Sequence, residues 1–145
     1  MDIDKLRLSY GTDTALEQSG APLEFADGVT LYVAAWMNPA HRKIVTEMLE
    51  RPEIRRKAER KSMTAAEDRE HEIEAMAAAV LVGWSGIEET AGGPPLPVTR
   101  ANAARLLQIT DIHDAVRSFA LDRANYRLQA VDAGAEALKK SSSGS

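Results

Sequence analysis

Cysteine is absent from the 145-residue chain, which excludes disulfides, thiolate zinc sites and cysteine nucleophiles together. Aromatic residues make up only 5%, so a core must come mostly from aliphatic side chains. No apolar run approaches the roughly 18 residues of a membrane-spanning helix. The opening stretch Met1–Asp13 lacks the apolar segment of a secretory signal, and both readings lead us to expect a soluble protein made in a cytoplasm. A basic excess is missing too: 22 acidic residues against 18 basic ones leave a formal net charge of −4. Proteins that coat nucleic acid draw most of their affinity from phosphate neutralisation, so neither nucleic acid nor a membrane is an expected partner.

What is present reads as one domain, because roughly 100–200 residues is the usual span of one. Residues 1–22 carry small and polar side chains, with Gly11, Gly20 and Pro22, and are expected to form a loosely ordered arm. From Leu23 the pattern alternates. Leu23 and Phe25 flank Glu24, Val29, Leu31 and Val33 flank Thr30 and Tyr32, and Asp27-Gly28 lies between the two runs. Such a pair favours a type I′ turn, which predicts a β-hairpin over 23–35. Asn38-Pro39 then reads as an N-cap followed by proline at the first helical position. Pro52 breaks or restarts that helix. Thr64 and Glu67 have the spacing of a capping box, and Ile73, Met76, Ala77, Val80 and Trp84 would share one side of the helix that follows. Gly92-Gly93-Pro94-Pro95 forbids regular structure, Thr99 caps a short helix, and a last, longest helix is expected from about Asp111 to Lys139. The expected fold is α+β and mainly α: an N-terminal hairpin packed on four to five helices over 39–139, with a long C-terminal helix. Residues 23–139 would form the domain and 140–145 a disordered tail.

No constellation for chemistry converges. Glu67 and Asp68 precede His71 at helical spacing, but a second Glu-x-x-His is missing for a di-iron bundle. His71 to Glu74 has no second histidine for a zinc protease, and Asp111 to Asp114, around His113, suits a helix start. Gly83-Trp84-Ser85-Gly86 places its second glycine one position early for a nucleophile elbow, and Gly92-Gly93 lacks the lysine of a phosphate loop. We therefore expect no catalytic residue, no metal site and no cofactor, and a protein that is not an enzyme.

Charge is more informative. Arg51 to Lys61 holds six basic and two acidic residues, while Glu67 to Glu74 holds five acidic and one basic. If these helices fold back through Ser62-Met63, the two blocks face each other. They then form either a mutually screened surface or, through Arg55, Arg56, Lys57 and Arg60, a dock for an acidic partner segment. Leu121, Ala124, Leu128, Val131, Ala135 and Leu138 are spaced 3-4-3-4-3 like a heptad seam. That seam either packs on its own domain or, with Leu128, Val131 and Leu138, holds another chain; its small residues and the neighbouring Gly134 argue against a strong self-dimerising coiled coil, and self-association of the chain is a further expected contact. Trp84 and Tyr126 read either as core or as partner anchors, and Leu96 as a plug that pins the proline loop and as a candidate partner contact.

The stretch from Leu81 to Tyr126 resembles the tail assembly chaperones of long-tailed bacteriophages and prophages. Trp84, Gly86 and Ile87 match a tryptophan, glycine and aliphatic residue often seen there. Gly93, Pro95, Leu96 and Pro97 match a Gly-x-Pro-hydrophobic-Pro loop, Asn102-Ala103-Ala104 opens a helix into Leu106-Leu107, and Phe119 to Tyr126 closes the string. Upstream, Trp36-Met37-Asn38-Pro39-Ala40 is similar to the first half of the family, so the likeness covers about Phe25 to Tyr126. Glu88-Glu89-Thr90-Ala91 departs from the aspartate-glycine turn that the family often has. The resemblance implies a non-catalytic factor that binds the tape measure protein and helps recruit tail tube subunits. It would act in the host cytoplasm and be absent from the mature virion. The alternative is a structural tail-completion or connector subunit that stays in the virion.

Overall fold

The computed structural model describes residues 1–128. The fold is α+β, as expected, with a three-stranded antiparallel sheet against which helices pack. Strands β1 (Ala21–Ala26), β2 (Val29–Val33) and β3 (Leu81–Ser85) lie in the order β1-β2-β3. Helices α3 (Pro39–Leu49), α4 (Pro52–Glu59) and α5 (Ala65–Ala79) separate β2 from β3, and α6 (Arg100–Leu107) and α7 (Thr110–Leu121) follow. Leu31, Val33, Leu81 and Trp84 of the sheet meet Ile73, Met76 and Val80 at the α5 end, together with Leu107, Ile112 and Val116 of α6 and α7. Alternation on β2 is kept, with Leu31 and Val33 buried and Tyr32 exposed between them.

The helix starts are local and follow the expected caps. The Asn38 side-chain oxygen accepts from the amides of Ala40 and His41 at 3.1 and 3.2 Å. Its amide nitrogen, buried, donates to the carbonyls of Ala35 and Ala79, so the cap also ties α3 to the end of α5. Thr64 and Glu67 close the capping box of α5, and Thr99 accepts from the Asn102 amide at 3.1 Å. Pro52 opens α4, whose one buried residue is Ile54, packed with Met48 and Ala75.

Four expectations are corrected. The arm over 1–22 contains two short helices, α1 (Ile3–Tyr10) and α2 (Thr14–Ser19), capped by the carboxylates of Asp2 and Asp13, and it runs into β1 at Ala21. The hairpin turn is not type I′, because Gly28 has φ 74° while Asp27 is not among the positive-φ residues. A one-residue irregularity between Glu24 and Ala26 restores the pairing, which is how a bulge reconciles an unmirrored turn with strand twist.

Trp84 lies on a strand and not on a helix. Pairing of β3 with β2 slips by one residue between Tyr32↔Gly83 and Val33↔Leu81. That extra residue lets Leu81 and Trp84, three apart, both be buried, a spacing that imitates a helical face. The last helix, expected to reach about Lys139, stops at Leu121. Asp122 turns extended (φ −89°, ψ 106°), and its carboxylate caps a 3₁₀ turn over Arg123–Tyr126. The seam from Leu121 to Leu128 is therefore not one helical face, and Val131, Leu138 and the expected tail over 140–145 lie outside the described residues.

Candidate functional site

Helix α4 buries Ile54 alone, so its basic side chains stand outward. Two charges of this block are paired with α5. The Arg51 guanidinium donates twice to the Glu74 carboxylate, at 3.1 and 2.7 Å, and Lys57 pairs with Glu67. The hydrogen bonds from Arg51 and Lys57 hold the Glu74 and Glu67 carboxyls below the usual carboxylate range, and the bond to Glu74 raises Arg51. Arg55, Arg56 and Arg60 are exposed and take part in no ion pair among the described residues. The blocks thus face each other only in part, and three guanidiniums remain available to carboxylates from outside.

The other residues singled out from the sequence are placed differently. Trp84 and Leu96 are buried in the core, where the indole N–H donates to the Leu96 carbonyl at 3.0 Å. The Leu96 amide donates to the Ile87 carbonyl at 2.8 Å, which closes the proline loop on itself. Tyr126 is 1% exposed, its ring edge-on to Phe119 and its hydroxyl bonded to the Val33 carbonyl. Burial pushes that hydroxyl well above its ordinary value, with the nearby Glu17 charge adding to the shift. As partner anchors these three are corrected, because apolar packing inside their own domain removes them from the surface. Leu128 is half-buried, its amide 3.2 Å from the Gly11 carbonyl. Val131 and Leu138 fall outside the described residues.

A second surface was not singled out as a site from the sequence. Trp36 and Met37 sit between β2 and α3, outside any periodic stripe, so spacing gives no sign of them. The one local signal is two large apolar residues directly before an Asn-Pro cap. Met37 has φ 58°, a conformation that side chains other than glycine rarely adopt. Its amide donates to His41 Nδ1 at 2.9 Å, and burial lowers the His41 pKa more than the nearby Glu72 charge raises it. His41 is thus a neutral acceptor, and its ring meets Trp36 edge-on at 4.7 Å.

Arg117 lies over the Trp36 ring, 5.3 Å from its centre, and 3.3 Å from Glu72. The buried His113 places Nε2 2.9 Å from the same carboxylate without hydrogen-bond alignment, and Nδ1 3.2 Å from Asp114. Among the described residues, no group of three or more such side chains is disposed to hold a metal ion. The arrangement instead makes a wall shared by an apolar cavity of about 290 Å³ and a more polar one of about 260 Å³. Trp36 and Met37 line both.

The family model for the YdaY prophage protein matches residues 38–139, well over half of the chain. The chain therefore belongs to the YdaY prophage protein family. No curated protein and no solved structure matches it.

Proposed function

We propose that this YdaY-family prophage protein is a tail assembly chaperone, a non-catalytic factor that binds the tape measure protein and helps recruit tail tube subunits in the host cytoplasm. The observation that carries the reading is an overlap. The stretch that places the chain in a prophage family, 38–139, contains the whole Leu81–Tyr126 string that resembles the tail chaperones. Surface chemistry supports it. A protein that shields a sticky partner needs exposed apolar area of modest size beside charge that keeps the pair dissolved. Met37, Leu49, Val98, Ile109 and Leu121 supply exposed apolar side chains, and Arg55, Arg56 and Arg60 supply charge that is not consumed internally.

Co-expression with the tape measure protein of the same prophage tests the proposal. The soluble fraction of the tape measure protein should rise several-fold with the wild-type chain, and less with the Arg55→Glu, Arg56→Glu, Arg60→Glu triple variant. An unchanged pellet rejects the proposal. Detection of the chain in purified particles would instead assign it to a connector or tail-completion role.

A further inference from the structure

Helix α1 stands with its apolar side open. None of its eight residues is buried, and an isolated helix shorter than about 12–15 residues is marginal in water. Ile3, Leu6 and Tyr10 follow at intervals of three and four residues and are 71%, 44% and 65% exposed, so they form one stripe. The Asp2 carboxylate caps the helix, but a cap contributes only about 1 kcal/mol.

The course of the chain points to a cover for that stripe. Behind α7 and the 3₁₀ turn the chain passes the foot of α1. Thr12 and Arg127 pair antiparallel, the Leu128 amide donates to the Gly11 carbonyl at 3.2 Å, and the Arg127 guanidinium lies 5.9 Å from the Tyr10 ring centre. Gly11 ends α1, so the antiparallel pairing sends the chain past Leu128 back along α1 toward its start. Arg127 is extended and Leu128 is helical. The Arg127 Nε is buried with no hydrogen-bond partner among the described residues, which leaves a donor for an acceptor arriving from elsewhere.

We propose that residues 129–139 of the same chain, which lie outside the described residues, cover the apolar side of α1, so that the two ends of the chain close on each other. Length fits: at 1.5 Å per residue α1 is about 12 Å long, and a helical run over 129–139 would reach about 16 Å. Sequence fits too. Val131, Ala135 and Leu138 continue from Leu128 at intervals of three and four, and Ala135, with Gly134 beside it, leaves room for the large Ile3, Leu6 and Tyr10 side chains. Charge does not choose the occupant, because Asp2, Asp4, Lys5 and Arg7 give α1 both signs and Asp4 already pairs with Arg7 at 3.7 Å. Tethering does. A segment that begins at the foot of the helix meets it at an effective concentration of about millimolar. A second copy would have to hold by an eight-residue helix, far short of the roughly 1,200 Å² that a stable interface buries. This closure is independent of the tail-assembly reading, since it places the Val131–Leu138 seam inside the chain whatever the protein binds.

Because the chain has no cysteine, Lys139→Cys gives the full-length protein a single site for a nitroxide label. In nuclear magnetic resonance of the labelled, isotope-enriched chain, the amides of Ile3 to Leu6 should lose most of their intensity and regain it when the nitroxide is reduced. In hydrogen exchange, Val131→Asp and Leu6→Ala should each speed the α1 amides about tenfold or more while the β2 amides keep their rates. Leu8→Ala, on the far side of α1, should leave the α1 amides as they are. Full intensity at Ile3 to Leu6, α1 exchange indifferent to Val131→Asp, or equal effects of Leu6→Ala and Leu8→Ala overturns the proposal. Intensity loss that appears only when labelled, unenriched chain is mixed with unlabelled, enriched chain overturns it in favour of a second copy. Protection of α1 that appears only with added tape measure protein overturns it in favour of that partner.

Discussion

The hydroxyl of Tyr126 donates to the carbonyl oxygen of Val33 at 2.8 Å, joining residues 93 positions apart. The bond fastens the 3₁₀ turn after α7 to the last residue of the central strand. The Asp13 amide donates to the Tyr126 carbonyl at 2.7 Å, so the start of α2 is tied to the same point. Tyr126→Phe keeps the ring and removes only this bond. It should lower stability by about 1 kcal/mol, read as a shift in the urea midpoint with an unchanged slope. No shift would mean that water replaces the hydroxyl at Val33.

Trp84 holds the proline loop through one hydrogen bond and its buried ring. Trp84→Ala should cost about 3–5 kcal/mol by leaving a cavity. Trp84→Phe should cost about 1–3 kcal/mol, because the Leu96 carbonyl loses its buried donor. Equal losses in the two variants would show that the indole N–H, and not the ring volume, carries the effect.

Gly86 and Gly28 both have positive φ, 82° and 74°, but only one is crowded. A Cβ on Gly86 would lie 1.7 Å from the Gly28 carbonyl oxygen, whereas nothing lies within 4 Å of one on Gly28. Gly28→Ala should therefore cost about 1–2 kcal/mol for the left-handed conformation alone. Gly86→Ala should cost clearly more, since backbone must move, and parallel denaturation curves give the comparison.

Acid should destabilise the fold in two steps. Burial lowers the His41 pKa from its ordinary 6.5, so the unfolded chain binds a proton there before the folded one does. Stability should fall as pH drops below about 6.5. Glu67, Glu74 and Glu89 are held below 4.5 by Lys57, Arg51 and Arg105. Their contribution is present above 4.5 and is lost as pH falls through the lowered values. Solvent screens these exposed pairs, so the second step should be shallow. His41→Asn should remove the first step and keep the second in a series of midpoints from pH 7.5 to 3.5.

Reversing Arg55, Arg56 and Arg60 to glutamate should change stability by less than about 0.5 kcal/mol, since surface substitutions away from specific contacts have small effects. Arg51→Ala, which breaks a two-bond pair with Glu74 that solvent screens, should lower the denaturation midpoint by a small but measurable step. A triple variant that loses more than Arg51→Ala would place those guanidiniums in contacts within the fold.

Features that a few neighbouring residues decide among themselves were determined by the sequence alone. The caps at Asn38, Thr64 and Thr99, the restart at Pro52 and the alternation of Leu31 and Val33 follow from short-range sterics and hydrogen bonding, and the structure keeps them, whereas the opposed charge blocks meet only through Arg51–Glu74 and Lys57–Glu67. Tertiary structure decided what depends on a distant partner. The edge of β2 draws Leu81–Ser85 into a strand, and a slipped register there gives Trp84 a helix-like spacing. Asp122 ends the last helix where Tyr126 must reach Val33. The Trp36–Met37 wall exists only because α2, α3, α5 and α7 meet around it. Period and propensity record a residue's own preference, whereas burial and pairing depend on which remote segment the chain finally brings alongside.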